Sequence, residues 1–68
     1  MLRLRYELFR LGMSQSELSK KSGVSNVVIS NLINGWYKPR QKWQNAIAEA
    51  IGWKGDPSKL FEEVEIVD

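Results

Sequence analysis

Residues 15–34 carry two short helical patterns that meet at Gly23-Val24-Ser25, a break of only three residues. So short a break leaves no room for a wandering loop. The two helices must cross steeply, and the second must present one face away from the body of the chain. Ser14 starts the first pattern, and Glu17, three residues on, completes a capping-box signature, with Leu18 as the clearest core residue. Gly23 suits the left-handed backbone that ends a helix. Ser25 is the expected N-cap of the second pattern, which runs to about Ile33.

The remaining punctuation is also helical. Leu4, Leu8, Phe9 and Leu11 form an apolar stripe at a spacing of three to four, closed by Gly12. Asn34-Gly35 ends the third helix and leads into the aromatic and basic loop Trp36-Tyr37-Lys38-Pro39-Arg40. A fourth helix is expected over about Gln41 to Ile51, with Trp43, Ile47, Ala48 and Ile51 facing the core and Gly52 beyond its end. Asp56-Pro57 pairs an N-cap with proline at the first helical position, so a short fifth helix should hold Leu60 and Phe61. The expected architecture is all-α: five helices in one domain over residues 1–63, then an extended tail over 64–68.

What the chain lacks narrows its chemistry. Among its 68 residues there is no cysteine and no histidine. Disulfides, thiol catalysis, the usual zinc sites and imidazole acid–base chemistry are therefore excluded. Capping and solubility account for the scattered carboxylates, so the reading is of a non-enzyme with no metal, cofactor or small-molecule ligand. No apolar stretch is long enough to span a bilayer, and the N-terminus has no signal-peptide h-region. No membrane partner is expected, and the cytoplasm is the expected location. Charge is polarised: residues 1–42 hold eight cations against Glu7 and Glu17, a net of +6, whereas residues 43–68 carry a net of −4. A basic front and an acidic back suit a protein that meets a polyanion on one side, although ordinary surface charge produces such patterns too.

The outer face of the third helix sharpens that reading. Ile29, Leu32 and Ile33 fall within roughly 100° of arc and should face the core. Val27, Ser30, Asn31 and Asn34 fall opposite, giving an outer face with amides and a hydroxyl but no charge. The major groove of double-stranded DNA admits one helix and is read by hydrogen bonds and methyl contacts. An asparagine amide matches the adjacent donor and acceptor of adenine, and valine methyls match the thymine methyl. Asn26, Val27, Ser30 and Asn31 are thus the candidate base-contacting residues, for a site containing A·T pairs. Val28 fits either the core or the groove.

Phosphate contacts would set the register. Gln15 lies in the first turn of helix two, where free N–H groups favour an anion. Ser25, Asn34, Tyr37, Lys38, Arg40 and Lys42 complete the candidate phosphate-contacting set. Trp43 is in phase with Ile47 and Ile51 and should pack inside. Trp53, just past Gly52, fits the apolar contact that accompanies a Schellman helix end. Trp36 has three options: lidding the core, lying on sugar–phosphate, or touching a partner subunit. Lidding the core is the expected one.

These residues resemble the phage repressor and Cro family of helix-turn-helix regulators, also called the Xre family. Met13-Ser14-Gln15-Ser16-Glu17-Leu18 is similar to the family's entry to helix two, Lys21-Ser22-Gly23-Val24-Ser25 to its turn, and Ile29 through Gly35 to its helix-three exit. Pro39, the run Ile47 to Gly52, and Leu60-Phe61 extend the likeness over nearly the whole chain. The resemblance implies a compact five-helix phage-repressor-like domain that binds a palindromic operator as a homodimer, at least on DNA. It also implies that Gln15 bonds a phosphate and braces Asn26, while Asn34 and the basic loop clamp the backbone. Two departures stand out. Ser19 replaces the family's common alanine and fits if its hydroxyl bonds back to a carbonyl. Leu8 and Ile33 replace an Arg–Glu pair, so an apolar contact is expected there.

Two classes of function are compatible with this pattern. The first is a sequence-specific DNA-binding transcriptional regulator, a repressor rather than an activator. The second is an antitoxin-like or other protein-interaction module, in which the acidic back (Glu62, Glu63, Glu65) and the tail carry the function. A stable co-purifying partner, lost on deletion of residues 62–68, would favour the second.

Overall fold

Four α-helices and a 3-10 helix follow one another with short connections: α1 (Arg3–Leu11), α2 (Gln15–Ser22), α3 (Asn26–Ile33), α4 (Gln41–Ile51) and the 3-10 helix Pro57–Phe61. A computed structural model describes residues 1–65; the expectation of an extended tail falls partly on residues 66–68, outside the described residues. The class is all-helical, with one correction to the count, since the fifth element is 3-10 rather than α. Its bonds run from Lys59 N–H to the Asp56 carbonyl and from Glu62 N–H to the Lys59 carbonyl, at 3.0 and 3.4 Å. Five residues are too few to sustain an α ladder, and tighter three-residue bonds close short pieces. Asp56 caps it as expected, its carboxylate accepting from Ser58 N–H at 3.0 Å.

Each α-helix begins and ends for a local reason. At α2, Glu17 N–H donates to Ser14 Oγ at 3.1 Å and Ser14 N–H donates to Glu17 Oε1 at 3.4 Å, so both arms of the capping box form. At α3, Ser25 Oγ accepts from Val28 N–H at 3.3 Å. α1 and α4 close with Schellman bonds: Met13 N–H to the Leu8 carbonyl at 2.9 Å, and Trp53 N–H to the Ala48 carbonyl at 2.8 Å. Met13 and Trp53 then pack against the core.

Leu4, Leu8, Leu18, Val24, Ile29, Leu32, Ile47, Ala48 and Leu60 form the buried core, drawn from every helix and from the turn. Leu8 is part of this core, and Ile33 packs against the same cluster. Val28 and Trp43 also pack against it. The expected stripe on α1 is only half correct. Leu4 and Leu8 are buried, but Phe9 is 84% exposed and Leu11 is exposed too. The third position on the buried face is Glu7, only 4% exposed. Three residues after Leu4 and one before Leu8, it lies on their face, whereas Phe9 turns about 100° further round.

Burial of Glu7 is supported by two arginines on its own helix. Arg10 donates to Glu7 Oε1 from Nη2 at 2.8 Å and from Nε at 3.2 Å, while Arg3 Nε lies 3.8 Å from Oε2. The hydrogen bond and charge of Glu7 push the Arg10 guanidinium above its ordinary value. Arg3 also lies over the Trp53 ring, 5.3 Å from its centroid. The start of the chain is further tied to the last described residues. Leu2 and Glu63 form an isolated antiparallel bridge, Arg3 N–H donates to the Glu62 carbonyl at 2.8 Å, and Val64 N–H donates to the Met1 carbonyl at 2.8 Å.

Candidate nucleic-acid interface

The turn between α2 and α3 is built from three residue-level devices. Gly23 adopts φ +75, a left-handed backbone in which a side chain is strained, and its N–H donates to the Ser19 carbonyl at 2.9 Å. Val24 N–H donates to Ser22 Oγ at 3.1 Å, turning the chain so that the Val24 side chain enters the core. Ser19 Oγ donates to the Val24 carbonyl at 2.7 Å. The hydroxyl thus reaches across the turn instead of back into its own helix, and it ties α2 to the residue leading into α3.

With α2 and α3 fixed, Gln15, Asn26, Val27, Ser30 and Asn31 line one open concavity of about 300 Å³. All four candidate base-contacting residues are on it, together with one candidate phosphate-contacting residue. Gln15, Asn26 and Val27 are exposed; Ser30 and Asn31 are half-buried. Across this concavity Asn26 Nδ2 donates to Ser16 Oγ at 3.4 Å. The brace between the two helices is therefore Ser16, where the resemblance implied Gln15. Sequence reading passed over Ser16, whose only signal is its place beside Gln15 in the first turn of α2. The Gln15 side chain stays in the lining of the concavity.

The remaining candidates fall into two groups. Ser25 has its hydroxyl engaged as the α3 cap. Asn34, Tyr37, Lys38, Arg40 and Lys42 are all exposed along the loop and the start of α4. Gly35 takes φ +77, and the loop folds back so that Trp36 and Tyr37 N–H both donate to the Asn31 carbonyl, at 2.9 and 3.3 Å. Trp43 anchors the loop from the α4 side. Tyr37 stacks on it with ring centroids 6.2 Å apart, and the Arg40 guanidinium lies 5.4 Å from its centroid. Gln44 Nε2 donates to the Pro39 carbonyl at 2.9 Å, pinning the loop to α4.

Electrostatics separate this face from the rest. Among the described residues, ion pairs within 4 Å involve Glu7 with Arg3 and Arg10, Met1 with Glu63, and Lys59 with Glu62. Lys38, Arg40 and Lys42 enter none of them, and no acidic residue occurs between Glu17 and Glu49. Trp36 corrects an expectation. It does not lid the core; it is 76% exposed. No group of three or more acidic residues among the described residues is placed to hold a metal ion, and no helix is long and apolar enough to cross a membrane.

Two short helices joined by a three-residue turn, the second capped and presenting one face outward, define a helix-turn-helix. The helix-turn-helix family model matches residues 2–52, and the chain belongs to that family, of the Cro and Xre type. It is a DNA-binding transcriptional regulator in kind. The family is typically non-enzymatic. No curated protein and no solved structure matches the chain at significant similarity.

Proposed function

We propose that the chain is a sequence-specific repressor that binds a palindromic operator as a homodimer through the major groove. The supporting observation is the concavity shared by Gln15, Asn26, Val27, Ser30 and Asn31, which gathers amides, a hydroxyl and a valine on one surface without charge. In this reading Asn26, Val27, Ser30 and Asn31 contact base edges. Gln15, Ser25, Asn34, Tyr37, Lys38, Arg40 and Lys42 contact the backbone. One domain of this size covers little DNA, and two recognition helices about 34 Å apart supply the rest of the affinity.

In vitro selection from random duplexes tests this directly. The expected product is a two-fold symmetric motif with A·T pairs in each half-site and centres one helical turn apart. Recovery of an asymmetric motif, or of no motif while binding persists, would contradict the operator and dimer parts of the proposal.

A further inference from the structure

Three helices here end in the same hydrogen-bond pattern, and one of them breaks its usual packing. At α1 and α4 the residue after the closing glycine, Met13 or Trp53, packs against the core. α3 ends the same way, with Gly35 N–H donating to the Leu32 carbonyl at 3.2 Å and Trp36 N–H to the Asn31 carbonyl at 2.9 Å. Trp36 holds the equivalent place but leaves 76% of its surface in water. The inward apolar contact that accompanies such an ending is not made. Trp53 also satisfies its indole, Nε1 donating to the Asp56 carbonyl at 3.1 Å, whereas Trp36 Nε1 has no protein acceptor among the described residues.

The surroundings indicate what covers this ring. Its backbone is bonded to Asn31, so it is held just past the candidate base-reading surface. Lys38, Arg40 and Lys42 follow within six residues, unpaired with any acid among the described residues. α3 has eight residues, so it is about 12 Å long, roughly the width of the major groove. With its outer face in the groove, the loop at its end falls beside a bordering strand.

We propose that Trp36 is a DNA-backbone contact: its ring lies on a deoxyribose at the edge of the half-site, and its indole N–H donates to a neighbouring phosphate oxygen. This rests on the reading of α3 as the groove-binding helix. Deoxyribose presents the same C–H surface in every nucleotide, so the contact adds affinity without sequence preference. The indole is neutral and displaces no counterion, which distinguishes it from the lysines beside it.

Wild type, Trp36→Ala and Trp36→Phe, each as the full chain, are titrated onto a duplex with a single selected half-site and onto an unrelated duplex, between about 50 and 200 mM salt. The expected result is that Trp36→Ala weakens both complexes by one common factor, about 5- to 10-fold. The slope against log salt is unchanged, Trp36→Phe recovers part of the loss, and thermal unfolding matches wild type. Equal binding by wild type and Trp36→Ala overturns the proposal. So does a loss that appears only when the titration is repeated on a duplex with two half-sites, which would make Trp36 a contact to a second copy. Failure of wild type to bind any duplex defeats the underlying reading, a result distinct from wild type and variant binding equally well.

Discussion

Ser19 shows how one hydroxyl can set the geometry on which the proposed recognition surface depends. Its 2.7 Å bond to the Val24 carbonyl joins the two helices at their closest chain separation. Ser19→Ala leaves that carbonyl, on a residue only 6% exposed, without its donor. The expected cost is about 1 kcal/mol in urea unfolding, even though alanine is the better helix former. The smallness required at this position was legible in the sequence; the partner was not, because the bond spans the turn rather than running along the helix. Asp56 offers a residue-level test in pH. Its hydrogen bonds from Ser58 hold the carboxyl below its ordinary value of 3.8. A depressed acid contributes stability that is present above the unfolded value and lost as pH falls through the folded one. Wild type should therefore lose stability relative to Asp56→Asn below about pH 4, with the difference constant above about pH 5. An acid limb of thermal stability identical in the two proteins would contradict this role.

At the scale of elements, starts and stops were the most legible part of the chain. Caps such as Ser14, Ser25 and Asp56, and the closing glycines, act through bonds within a few residues, so their signals survive without tertiary context. Faces were less legible. Spacing places Phe9 on the apolar stripe of α1, yet Phe9 faces water, and the buried position is Glu7, held between Arg3 and Arg10. The spacing of those arginines, four before and three after Glu7, was the available signal. Which side of α1 packs is decided by α1 meeting the 3-10 helix and the core, contacts between residues far apart in sequence. The consequence is measurable. Leu8→Ala should cost about 2–5 kcal/mol in chemical denaturation, while Phe9→Ser changes stability by less than about 0.5 kcal/mol. Comparable losses for both would mean that α1 packs on another face. The same reasoning covers Trp36: the bonds that close α3 were foreseeable, but the outward direction of its ring was not.

On the proposed function, the whole molecule divides two tasks between neighbouring segments. The concavity from Gln15 to Asn31 holds polar and methyl groups without charge, and the segment from Lys38 to Lys42 holds cations without acidic partners among the described residues. Neutral groups that fit base edges discriminate between sequences, whereas cations on phosphates bind any duplex and release counterions. Six of the eight acidic residues lie after residue 42 and none between Glu17 and Glu49, so no acid near in sequence cancels that field. The charge asymmetry and the uncharged outer face of α3 were both legible in the sequence. The way they meet was not, since it depends on Gly35 and on two bonds to one carbonyl, that of Asn31. The direct test of this division is a salt titration of wild type, Asn31→Ala and Lys38→Ala on a selected duplex and on an unrelated one. For Asn31→Ala the expected result is loss of about 1–3 kcal/mol on the selected duplex only, with the salt slope unchanged. For Lys38→Ala it is equal weakening on both duplexes, with the slope reduced by about 1. Sequence-dependent loss from Lys38→Ala, or a reduced salt slope from Asn31→Ala, would contradict the assignment of specificity to α3 and affinity to the loop.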